Sequence, residues 1–61
     1  MYRKLLIIDD EENMRHMLSV LTSKAGYTVT LAADGNQGLD AVAEDSFDFI
    51  LCDLKMPGMS G

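Results

Sequence analysis

The chain has 61 residues, 48% of them hydrophobic, with ten acidic against five basic side chains and a net charge of −5. A chain of that length forms at most one small domain and buries only about 60% of the surface it exposes unfolded. The acidic balance argues against nucleic-acid binding, which needs clustered Lys and Arg, and the "LLII" run is too short to span a membrane or serve as a signal core.

In chain order, "KLLII" (Lys4–Ile8) is apolar without alternation and ends at Asp9 and Asp10. Such a run suits a strand covered on both faces, as in parallel sheets. Met14, Met17, Leu18, Leu21 and Ala25 then recur at helical spacing and predict a helix over 12–25. Glu11 and Glu12 sit at its electropositive start and Gly26 is placed to cap its end. The two methionines read as core filler, and His16 as a residue of the solvated face rather than a phosphotransfer group. "YTVTLAA" (Tyr27–Ala33) is rich in β-branched residues and predicts a second strand. "DGNQG" reads as a turn with Asp34 or Asn36 as N-cap; it lacks the lysine and spacing of a phosphate loop. Leu39, Val42 and Ala43 predict a short helix over 36–45. "FDFILCD" predicts a third strand, apolar from Phe49 to Cys52 and ending at Asp53, and "LKMPGMSG" a loop with the Lys55 side chain in solvent. Cys52 is the single cysteine, so no internal disulfide forms. Its apolar neighbours predict a buried structural thiol in a reducing cytoplasm, leaving a metal or a partner chain as extra support for so small a domain.

Strand, helix, strand, helix, strand is the order of an α/β fold with parallel strands joined by right-handed crossovers. Ligand sites in such folds lie at the carboxyl ends of the strands. Two of the three predicted strands end in acids, and if those strands are neighbours, Asp9, Asp10 and Asp53 converge. Two carboxylates about 4 Å apart repel by roughly 4 kcal/mol at an effective dielectric of about 20. A hard divalent ion relieves that repulsion, and Mg²⁺ takes few protein oxygens plus water and phosphate. A carboxylate can also attack phosphorus. Asp53 suits that role, alone at a strand tip before a loop that can lend a backbone carbonyl, with Asp9 and Asp10 holding the metal. Solvated acids capping strands and helices remain the plainer reading of the same residues.

"LLIIDDEE", the "DG" before the second helix, and "FILCDLKMPGMSG" together resemble the receiver domain of bacterial two-component response regulators, from Lys4 to Gly61. The resemblance implies a flavodoxin-like sheet whose first three strands run in the order 2-1-3. It implies a signalling module rather than an enzyme, with Asp53 accepting phosphoryl from a sensor histidine kinase. Asp10 and Asp53 would ligate Mg²⁺ directly, with the Lys55 backbone carbonyl as a further ligand and Asp9 acting through water. The family has five strands, and its hydroxyl and lysine, which respond to the phosphoryl group, follow the fourth and fifth. Residues 1–61 therefore read as the N-terminal half of a receiver domain, a half-domain that accepts phosphate without signalling.

In that half-domain the third strand becomes an apolar edge, a template for another chain. The expected assembly is a homodimer with strands in the order 2-1-3-3'-1'-2', or a strand-exchanged oligomer. A self-associating folding fragment without signalling activity is the alternative function. A Mg²⁺-dependent phosphatase with an aspartate nucleophile is disfavoured by Lys55, where that class wants a second acid.

Overall fold

The computed structural model describes residues 3–53, with Asp53 by its backbone alone. The elements are β1 (Arg3–Asp9), α1 (Glu12–Lys24), β2 (Tyr27–Ala32), α2 (Gly35–Glu44) and β3 (Phe49–Asp53). The strands form one parallel sheet in the order β2-β1-β3. The parallel α/β arrangement is the one the alternation of elements predicts, and the strand order 2-1-3 is the flavodoxin-like one that the family resemblance implies. The "LKMPGMSG" loop lies outside the described residues.

β1 is central and carries the core. Leu5, Leu6, Ile7 and Ile8 are all buried, and Ala32 of β2 joins them. The unbroken apolar run exists because the two helices cover opposite faces of this strand: each packs on β1 and β2, and neither packs on the other or on β3. On the α2 face Leu6, Ile8 and Ala32 form a cluster joined by Ala41 and Phe47. Gly38 is buried there because α2 comes in so close that a Cβ would lie 2.5 Å from Ile8 Cδ1.

Local chemistry sets the helix ends. Gly26 adopts φ +100 after the last turn of α1, the left-handed conformation that glycine takes at low cost. Of the two candidate N-caps for α2, Asp34 is the one used: its Oδ1 accepts from the Gln37 N–H at 2.8 Å. Gln37 Oε1 in turn accepts from the Ala33 N–H at 2.9 Å, a reciprocal pair close to a capping box. α2 therefore begins at Gly35, ahead of the predicted start.

Two burial expectations are corrected. Cys52 is exposed rather than a buried structural thiol, because neither helix reaches β3. α1 has no buried residue at all: Met14 is half-buried, and Met17 is 47% exposed, so neither is core filler. The helical period was right, but the stripe it draws is wider than the sheet surface it meets.

A turn holds β3 in register. Asp48 Oδ2 accepts from the Lys4 N–H at 2.8 Å, and the Asp48 N–H donates to the Lys4 carbonyl at 2.8 Å. The Lys4 ammonium pairs with the Asp45 carboxylate and lies 5.8 Å from the centre of the Phe47 ring. The α2–β3 connection is thus clamped onto the start of β1, and β3 follows with Leu5 opposite Phe49.

Candidate functional site

The parallel register makes Asp9 and Asp53 direct Cα partners at the carboxyl ends of neighbouring strands. The expected adjacency of the first and third strands is therefore met at the backbone. Asp10 is exposed and is the first residue beyond β1. The Asp53 side chain and Lys55 lie outside what the structure describes, so the convergence of all three carboxylates is an expectation that rests on this register. Among the described residues no group of three or more His, Cys, Asp or Glu closes on a common point.

Asp9 departs most from a plain surface acid. It is only 2% exposed. Its Oδ1 accepts from the Glu11 N–H at 2.9 Å, while Oδ2 is buried with no hydrogen-bond partner among the described residues. An orphaned buried carboxylate oxygen costs about 1–3 kcal/mol or more, and such atoms call for water or an ion. Oxygen donors alone, one of them buried and unsatisfied, fit a hard divalent cation. The strand-capping reading accounts for Oδ1 but not for Oδ2.

Sequence reasoning missed Arg15. Its guanidinium Nη1 donates to the Asp9 backbone carbonyl at 2.8 Å, from the early part of α1. One signal pointed to it: a cation near a helix N-terminus opposes the helix dipole and calls for a local partner. His16 is exposed, as expected.

Comparison with known proteins decides the family, since the response regulator receiver domain matches residues 5–61. The chain belongs to the response regulator receiver domain family. Curated relatives of this receiver include sporulation initiation phosphotransferase F of Bacillus subtilis, 43% identical over 61 residues, covering 100% of this chain and 49% of that protein. The DNA-binding response regulator MtrA of Mycolicibacterium smegmatis is 36% identical, over 100% of this chain and 27% of its own length. The uncharacterized transcriptional regulatory protein YkoG of B. subtilis is 40% identical, over 93% of this chain and 25% of that protein. This receiver chain spans half or less of the length of each. No solved structure gives a significant match. Receiver domains are phosphoacceptor modules of two-component systems; they interact with sensor histidine kinases and generally bind Mg²⁺. Among the described residues of this receiver, no helix is long and apolar enough to cross a membrane.

Proposed function

We propose that this receiver takes a phosphoryl group onto Asp53 from the phosphohistidine of a sensor histidine kinase in the cytoplasm. Asp10, Asp53 and the backbone carbonyl of Lys55 would hold Mg²⁺ directly, and Asp9 would hold it through water. The observation that carries this reading is the pairing of Asp53 with a buried Asp9 whose Oδ2 has no partner among the described residues.

In the transfer, an Asp53 carboxylate oxygen forms the new O–P bond as the N–P bond of the phosphohistidine breaks. The imidazole nitrogen keeps that electron pair and takes up a proton from solvent. Bound Mg²⁺ supplies charge compensation for the carboxylates and phosphoryl oxygens. The chain's own residues supply position. The Asp9 carboxylate is anchored through Oδ1 to Glu11, and the strand pairing holds the Asp53 backbone beside it.

Incubation of the chain with Mg²⁺ and a small-molecule phosphodonor, followed by intact-mass measurement, tests this. The expected result is a gain of one phosphoryl group that disappears in Asp53→Ala and on chelation of the metal. No gain, or a gain that persists in Asp53→Ala, overturns the reading.

A second property is favoured by β3 itself, where Phe49 is 46%, Ile50 54% and Leu51 40% exposed. We propose that the 61-residue chain self-associates through this edge, as an antiparallel β3–β3' homodimer or by strand exchange. Its net charge of −5 speaks against a nucleic-acid partner.

A further inference from the structure

We propose that Arg15 is a positioning residue for the acidic turn: it fixes the peptide between Asp9 and Asp10 and thereby aims the Asp10 carboxylate. The inference rests on the proposed metal site.

The Arg15 side chain holds one flank of Asp10, and the first-turn backbone bond of α1 holds the other. The Arg15 guanidinium Nη1 donates to the Asp9 carbonyl at 2.8 Å, and the Arg15 backbone N–H donates to the Glu11 carbonyl at 2.9 Å. The Glu11 N–H closes the arrangement by donating to Asp9 Oδ1 at 2.9 Å. Asp10 itself is exposed and sits past the last ladder pairing of β1, where the sheet no longer dictates its backbone. The orientation of the Asp9–Asp10 peptide plane decides the direction in which the Asp10 side chain leaves the chain. Arg15 is half-buried, and its guanidinium, planar and with several donors, holds a carbonyl in one direction better than an ammonium on a flexible stem.

The sign of the effect separates this role from a bystander charge. A cation beside an acidic cluster repels Mg²⁺, so a bystander's removal tightens metal binding. Removal of a positioning residue loosens it, as loss of a partner behind a metal ligand typically does by about 10–100-fold.

Calorimetric titration of the 61-residue chain with Mg²⁺ provides the test. Arg15→Met, which keeps the apolar stem and loses donor and charge, is expected to bind about tenfold more weakly. Arg15→Lys is expected to fall between it and wild type. Equal or tighter binding by Arg15→Met overturns the proposal, as does wild-type affinity in Arg15→Lys should Arg15→Met fail to fold. If the wild-type chain itself binds no Mg²⁺, the metal site is wrong, and amide exchange at Glu11 then tests Arg15 alone. Exchange there is expected to quicken in Arg15→Met; unchanged exchange overturns the role.

Discussion

Asp9 and Asp45 show how differently two carboxylates of one short chain are treated. Asp9 is buried with one oxygen bonded and the other unsatisfied, an arrangement that is costly unless something else uses that oxygen. Asp45 lies at the surface, where the Lys4 ammonium, and after it the Ser46 N–H, hold its carboxyl below the ordinary value. A carboxyl with a lowered folded pKa stabilises the fold at pH above its unfolded pKa, about 4, and loses that contribution as pH falls through the lower folded value. The melting temperature should therefore drop on acidification below about pH 4. The drop should be smaller in Asp45→Asn, because that variant has no proton to gain. Thermal melts by circular dichroism across this range check the difference, and an identical pH dependence in both proteins would remove Lys4–Asp45 from the account. The effect is small, because exposed ion pairs contribute little.

At the scale of elements, α2 depends on its cap more than α1 does. α1 begins with Glu12 in its first turn and ends with Lys24 in its last, both favourable to the helix dipole. α2 has no acid in its first turn and no base in its last, so the Asp34–Gln37 exchange is its main terminal support. Asp34→Ala is expected to cost about 1 kcal/mol. In a domain of this size that lowers the melting temperature by roughly 4–8 °C. A melting temperature within experimental error of wild type would show that tertiary packing, not the cap, holds α2. Gly38 belongs to the same element for another reason: a Cβ there would push against the Ile8 side chain, which would have to shift, so a residue that is poor for helix propensity lets α2 pack close.

Across the whole molecule, coverage is unequal. Helices sandwich β1, whereas neither packs closely on β3, whose Phe49, Ile50 and Leu51 stay 46%, 54% and 40% exposed. A groove of ≈ 610 Å³ lies between α2 and the sheet, lined by Ile8, Leu39 and Val42 and reaching Ile50 of β3. A second, of ≈ 320 Å³, runs along the other face of the sheet past Leu5, Phe49 and Leu51. Apolar edges of this kind recruit another strand, and charge on the edge prevents it. Ile50→Lys, on an exposed position, is expected to leave the fold intact and convert the 61-residue chain to monomer. Sedimentation velocity at micromolar concentration compares the two, and a wild-type chain that sediments as a folded monomer would end the self-association reading.

Much of this molecule was legible one residue at a time. The unbroken apolar run from Leu5 to Ile8 implied a strand with two covered faces, and β1 is that strand. Gly26 and Asp34 marked helix ends because only certain residues tolerate those backbone positions or bond those orphan amides. The acids after two strands pointed to one end of the sheet, since parallel topology fixes where strand ends meet. Other facts depended on how much surface each element finds to cover. Cys52 follows an apolar run and Met14 and Met17 fall on an apolar helical stripe, yet burial needs a neighbour in space: neither helix reaches β3, and α1 finds no surface that buries any of its residues fully. The Arg15 bond to the Asp9 carbonyl and the Lys4–Asp48 clamp each use a backbone group of one partner, so residue types alone do not give the pairing. Composition and periodicity determined the elements, their order and the acids at their tips. Tertiary structure alone decided what is covered, which carboxylate oxygen goes unsatisfied and which cation steadies the turn, because those depend on distances that close only when the chain is folded.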